Sequence, residues 1–525
     1  MRLHRRALCL LLGLGILPLR GAAQDREAAM SLGACILEAL RNNLGVAIEV
    51  INPRLSALSF SFVKEKYIPA MSFGFSSSNT SSASFSWIEA AALISSQDQN
   101  YSAQVSEFIP TGGRVYATLG AYKSESNRSF QTINPRYGST LTFSVWQPLL
   151  RNFGINLNRR DVVVARNNLN ITEIQFRSVL QNTIYTVEQS YWNLVYAVEA
   201  LKVRRQSLDL AKDLLAKNTR EAEVGTIAPI EVLNAEAEVA TREADILQAE
   251  ASVASGQDSL ATILNLPREE GQPRLARIVP IDQPAFEARP LDFEASLQTA
   301  LENRADLQVT RIDLENKDLT YAYLRNQLLP DLSLSASYWS PGISGTQILY
   351  QDNDPLTNVV IGYVPAGAKD SLRDAFRLRY RNWSLSLSLS IPLNNYLTKD
   401  HFTQIKISRD QSVLRLKNLE QQVYLEIKNS VRDVETNFKR VQAYRLAREL
   451  AERRLQAEEK KLKVGLTTNY LVLLNQRDLA TAKTNELKAL IDYNLSLSSL
   501  ERSLGTSLET KGIRIEDVIG GGADR

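Results

Sequence analysis

Residues 383–391 read WSLSLSLSI, and the fold can be built outward from their two-residue rhythm. Trp383, Leu385, Leu387, Leu389 and Ile391 fall on one face of a strand and Ser384, Ser386, Ser388 and Ser390 on the other. Half-buried sheets of soluble proteins alternate too, but there the polar face is mixed and charged; here it is hydroxyl. Three more stretches share the pattern: Met71, Phe73 and Phe75 with Ser72 and Ser76; Leu141, Phe143 and Val145 with Thr142 and Ser144; Leu332, Leu334, Ala336 and Tyr338 with Ser333, Ser335 and Ser337. Trp146, Tyr338, Trp339 and Trp383 lie near segment ends. An apolar side toward lipid, small hydroxyls toward a lumen and aromatic girdles describe strands of a membrane barrel. Four strands cannot close a transport-sized lumen, and an open edge is not tolerated in lipid, so several chains must share the barrel. Residues 101–124 hold two more alternating stretches around Pro110-Thr111-Gly112-Gly113, which read equally as an extra membrane hairpin or a surface excursion.

From Leu393 to Val464 there are 72 residues without Gly or Pro, and from Ile155 to Val224 there are 70. At ~1.5 Å per residue either stretch reaches roughly 100 Å if wholly helical. Leu180, Ile184, Val187, Tyr191, Leu194, Val198 and Leu201 recur at steps of four and three, as do Ile427, Val431, Val434, Phe438 and Val441. A period of 3.5 predicts helices packed side by side with knobs in holes.

The chain repeats itself. Residues 31–76 match 292–337 at a shift of 261, pairing Ala39 with Ala300, Asn42 with Asn303 and Pro69 with Pro330; Val224-Gly225 matches Val464-Gly465 at a shift of 240. The organisation expected is a leader over 1–23, a first repeat over 24–270, a linker over 271–290, a second repeat over 291–510 and a tail over 511–525.

Composition removes whole classes of function. Lys and Arg number 61 against 58 Asp and Glu, but Arg2, Arg5, Arg6 and Arg20 lie in a segment with the layout of an export signal: basic start, apolar run from Ala7 to Leu17, then Gly21-Ala22-Ala23. Without it the chain is near neutral, so nucleic acid is not an expected partner. Only Cys35 and His401 then remain of their kinds, too few for a disulfide, a zinc cage or an ordinary nucleophilic site, so no catalysis and no cofactor are expected. Cys35 reads as a small buried helix residue. Beyond the leader no apolar run approaches the ~20 residues of a membrane helix.

The duplicated ALxNN/ALENR helices, the Pro before each strand region, the WQPLLRNFG run at 146–154, the breaker-free helices and the twin VG turns together resemble the TolC-type outer-membrane efflux channels. The resemblance implies a mainly α protein with membrane β: a trimeric β-barrel, about four strands per protomer, continued by a long α-helical periplasmic barrel. It implies a homotrimer in the outer membrane of a Gram-negative bacterium, extending into the periplasm. Its partners would be outer-membrane lipid, a periplasmic adaptor and an inner-membrane pump, proton-driven or ABC. The function implied is an exit duct for small molecules or polypeptides; the competing reading is a soluble periplasmic coiled-coil or adaptor protein. Carried over by position, Val224, Gly225, Thr226, Val464, Gly465, Leu466 and Thr467 are the expected adaptor-contact tips. Acidic residues often line the closed pore in this family, yet Leu471 and Leu474 occupy the matching positions here, while Glu231 matches an acidic position in the first half. An apolar gate of Leu471 and Leu474 that closes by packing and dewetting is therefore expected. Leu385, Leu387, Leu389 and Ile391 are expected to face lipid.

Overall fold

The computed structural model describes residues 27–84, 92–266 and 277–515; the leader expected over 1–23 lies outside them. The first half runs β1 (Glu27–Met30), α1 (Leu32–Asn42), α2 (Leu44–Glu49), α3 (Ile51–Lys64), β2 (Ala70–Ala83), β3 (Leu93–Phe108), β4 (Arg114–Ser126), β5 (Ile133–Pro148), α4 (Ile155–Asn158), α5 (Arg160–Glu223) and α6 (Pro229–Leu264). The second runs β6 (Arg277–Pro280), α7 (Phe293–Asn303), α8 (Ala305–Gln327), β7 (Asp331–Tyr350), β8 (Val360–Val364), α9 (Ala368–Phe376), β9 (Asn382–Ser390), α10 (Tyr396–Lys463), α11 (Asn469–Leu504) and α12 (Ser507–Thr510). Parts of the two halves match in length: α1 and α7 have 11 residues each, and α6 and α11 have 36 each, whereas the strand regions differ, β2 to β5 in the first half against β7, β8, α9 and β9 in the second. The helices α5 and α10 are 64 and 68 residues long, about 100 Å each at 1.5 Å per residue.

Compactness does not follow the repeat. One unit takes the described parts of residues 1–47, 180–292 and 429–525, and the other takes 48–179 and 293–428, so each unit draws on both halves. In the first unit the predicted heptad residues form the core: Leu180, Ile184, Val187, Tyr191, Leu194 and Val441 are fully buried, and Val434 nearly so. The described part of the stretch expected as a linker, 277–290, belongs to this unit. Its β6 pairs in parallel with β1, and Phe286 stacks on Phe438 with ring centroids 4.9 Å apart. The Tyr191 hydroxyl donates within 3.1 Å to the Met30 carbonyl or Asp282 carboxylate and accepts from the Ile281 and Asp282 amides; burial pushes its pKa up to about 12. Cys35 is buried on α1, and burial followed by Asp282 raises its thiol to about 11, which leaves it unreactive. Lys511, at the start of the expected tail, holds the buried Glu188 carboxylate at 2.6 Å.

The second unit carries the sheet, ordered β2-β3-β4-β5-β7-β9, with short β8 on the distal end of β7. Every pairing in it is antiparallel. All four stretches read from the sequence are strands, and the residues around Pro110 are two more, lying between β2 and β5.

One expectation is corrected. The helix over Leu44–Tyr67 is long and apolar enough, by length and composition, to cross a bilayer. Six of its apolar residues nevertheless form an exposed stripe: Leu44, Ile48, Ile51, Leu55, Leu58 and Phe62 recur at steps of four and three, with Glu49, Arg54 and Lys64 elsewhere on the surface. Such a stripe suits packing against another helix. A search for unbroken apolar runs passes over it because Pro53 and the charges interrupt it.

Candidate functional site

The two long helices end in the same turn. At the end of α5 the Gly225 amide bonds the Ala222 carbonyl and the Thr226 amide the Glu221 carbonyl; after α10 Gly465 bonds Leu462 and Leu466 bonds Lys461. Both pairs form the Schellman pattern, which needs a left-handed residue, and Gly225 and Gly465 have φ of +77° and +75°. A Cβ at either glycine would meet nothing within 4 Å, so backbone conformation alone demands glycine there. Beyond the turns, Pro229 opens α6, and Thr468 caps α11 by accepting the Leu471 amide. Val224, Val464 and Leu466 are 74%, 68% and 77% exposed, apolar groups held out at the turns.

Below the turns Ala211, Leu214, Ala235, Leu455, Val472, Leu473 and Leu479 make a small core shared by α5, α6, α10 and α11. Val472 and Leu473 are thus the seam residues of α11, whereas Leu471 is exposed and Leu474 half-buried, both outside that core. Glu231 is half-buried on α6; its backbone carbonyl accepts from Asn218, while its carboxylate Oε2 is buried without a partner. Thr467 donates to Glu458, which also pairs with Lys461; these bonds, the Thr467 hydroxyl first, hold the Glu458 carboxyl below the usual carboxylate range.

Sequence reasoning missed Arg242. Its side chain is 6% exposed; Nε donates to Glu238, and the two terminal nitrogens donate to the carbonyls of Ser207 on α5 and Leu473 on α11. One guanidinium thereby ties three helices beside the Leu471–Leu474 segment. Two of its acceptors are backbone atoms, which leave no mark in a sequence.

In the sheet unit, Leu385, Leu387 and Leu389 stand on one face of β9 and are about three-fifths exposed, with Ile391 equally exposed just past the strand end. Their serine neighbours take the other face. The WQPLLRNFG run is the junction from β5 to α4: Arg151 bonds the Gln327 side chain, the Asn152 amide bonds Asn326, and the Gly154 amide bonds the Thr111 carbonyl.

The fold has counterparts among known proteins. The outer-membrane channel OprN superposes with a TM-score of 0.62 at 18% identity, covering 90% of each chain. The Campylobacter jejuni CmeC outer membrane channel gives 0.61 at 14% identity, over 94% of this chain and 91% of that one. The outer membrane protein VceC of Vibrio cholerae gives 0.60 at 16%, over 90% and 96%. No curated protein sequence matches. The sequence profile of the outer membrane efflux protein family fits residues 81–266 and 296–506, most of both repeats, and on that match the chain belongs to the outer membrane efflux protein family.

Proposed function

We propose that the chain is one protomer of a homotrimeric exit duct of a tripartite efflux or type I secretion system, passing small molecules or polypeptides from an inner-membrane pump and periplasmic adaptor to the exterior. The observation that carries this reading is the sheet: one face apolar, one face hydroxyl, and outer edges on β2 and β9 that have no partner strand among the described residues. In lipid such edges must be satisfied by further copies. With an even number of antiparallel strands across the sheet, β2 of one copy can continue the antiparallel order beside β9 of the next. The exposed stripe from Leu44 to Phe62 offers the same copies a helical seam.

The paired turns are the proposed docking points for the adaptor, with Val224 and Leu466 as apolar anchors and Thr226 and Thr467 fixing the turn geometry. Leu471 and Leu474 are the proposed apolar gate, flanked by Glu231. Their place outside the helix seam supports this, as do the neighbouring buried oxygens of Asn218, Glu231, Asn469, Asn475 and Gln476 that lack hydrogen-bond partners, because hydrating them offsets part of the cost of opening. Nothing favours catalysis in a family of channels.

Purified protein answers the question directly. The duct reading expects detergent-dependent extraction from the outer membrane as a trimer, and cation-selective currents from Leu471→Asp and Leu474→Asp channels in planar bilayers. Release as a soluble periplasmic monomer would favour the coiled-coil adaptor reading. Trimers whose selectivity is unchanged by both aspartates would leave the duct standing and remove the gate.

A further inference from the structure

We propose that the β3–β4 hairpin is a membrane-spanning hairpin whose apolar side lies against the acyl chains of the outer membrane, so that each copy gives six strands to the shared barrel rather than four. The inference rests on the duct reading and extends it.

Residues paired directly across an antiparallel ladder share a face, so register carries the identity of a face from strand to strand. From Trp383 on β9 the ladder passes to Tyr338, Phe143, Ala117, Val105 and Met71. The neighbouring row joins Phe73 to Ala103, Leu119 and Leu141, and Phe75 lies opposite Tyr101, with their rings 5.1 Å apart. The hairpin therefore sets Tyr101, Ala103, Val105, Val115, Ala117 and Leu119 on the face that carries the leucines of β9. Its other face presents Ser102, Gln104, Ser106 and Thr118 in line with the hydroxyls of β2 and β5.

Height agrees as well as face. Followed along the ladder, the middle of the apolar band slips from Phe73 on β2 to Ser386, between Leu385 and Leu387, on β9: five residues in five strand steps. One residue of roughly 3.3 Å per strand spacing of roughly 4.8 Å is a tilt of about 35°, within the range of membrane barrels. The hairpin's apolar residues sit at the heights this slope assigns to the two places between β2 and β5. Toward the far end the same face turns polar and is covered by α9, where Ser371 bonds Ser139 at 2.9 Å and Gly342 lets the Ser371 carbonyl approach.

A surface excursion would leave β2 paired with β5. Instead β2 pairs with β3 over its whole length, Ala70 to Ala83, and β5 takes β4 on one edge and β7 on the other. The hairpin's own turn, residues 109–113, lies at the end of the sheet nearest α4, where Thr111 bonds Gln147 and Gly112, with φ +100°, passes close to the Asn152 carbonyl. A tight turn on the periplasmic side is the usual construction of such barrels. Six strands from each of three copies close an eighteen-stranded barrel, whose lumen is about half again as wide as one of twelve, since diameter grows with strand number.

The test uses the full chain carrying Cys35→Ala, with bimane attached at Ala103→Cys, Ala117→Cys, Ser102→Cys or Thr118→Cys, and at Leu387→Cys as reference, in phosphatidylcholine vesicles. Positions 103 and 117 should be quenched by nitroxide on the acyl chains and spared by aqueous iodide, as at 387, with 102 and 118 reversed. If a substitution blocks trimer assembly, Val105→Cys and Leu119→Cys read the same face. Iodide quenching at 103 and 117 while 387 remains lipid-exposed overturns the membrane hairpin; loss of lipid quenching at 387 itself overturns the duct reading beneath it.

Discussion

At Gly225 and Gly465 the chain turns with nearly the same φ and the same two hydrogen bonds, yet the side chains that brace the two turns have little in common. Where the second turn has Glu458 accepting from Thr467 and Lys461, the first has Asn218 reaching across to the Glu231 carbonyl at 3.3 Å, with Ile227 at the position of Thr467. Glu231 itself stands where the second half has Leu471, and Arg242 where it has Ala482. Duplication preserved what the backbone demands, a left-handed residue and the closing bonds. The chemistry at each turn was free to diverge.

The largest test of that divergence is Arg242→Met. The guanidinium is buried, and removing it leaves the Glu238 carboxylate without its partner and cuts the ties to the Ser207 and Leu473 carbonyls, which keep the bonds of their own helices. Losing one partner of a fully buried pair costs about 3–5 kcal/mol, and because the Glu238 side chain is 22% exposed the low end of that range is expected, read as a lower unfolding temperature of the detergent-solubilised protein. Ala482→Met, at the equivalent position in the second half, should do far less. Equal losses would mean that Arg242 is not the clamp.

Next in size are Gly225→Val and Gly465→Val. The left-handed region costs about 1–2 kcal/mol for an ordinary L residue, and open space around both positions adds no clash. The two penalties should match, again by unfolding temperature. A clear inequality would mean that side chains, and not the backbone, set the stability of one tip.

How much of this could be read beforehand follows from which forces write periodically. Helix packing repeats every 3.5 residues, so Leu180 through Leu194 announced the core of the first unit; lipid against lumen repeats every two, so Leu385, Leu387 and Leu389 announced the sheet. The β3–β4 hairpin stayed ambiguous because only the helix-side half of each strand enters the apolar band, and Gln97, Asp98, Gln99, Lys123 and Glu125 fill the rest. Its place became clear only with the register to β2 and β5. Arg242 and Glu238 stand four apart on α6, the ordinary signature of a solvated helix pair. Burial by α5 and α11 makes them something else, and that information lies more than thirty residues away in each direction.

The smallest effect separates the tips by pH. Glu458 titrates below its ordinary 4.5, held there first by the Thr467 hydroxyl and then by Lys461. A carboxyl with a depressed folded pKa stabilises the fold above its unfolded value, and that contribution disappears as pH falls through the folded value. Thr467→Val removes the principal bond, so the folded pKa rises toward 4.5 and the acid-side loss contributed by this tip shrinks. The Asn218 brace of the first tip has no such titration, so Ile227→Val, at the equivalent position, should leave the acid limb unchanged. Unfolding temperatures of both variants between pH 3 and 7 provide the comparison, and if the Ile227 variant reshapes the acid limb as much as the Thr467 variant does, the two turns are braced alike and the divergence argued for them is wrong.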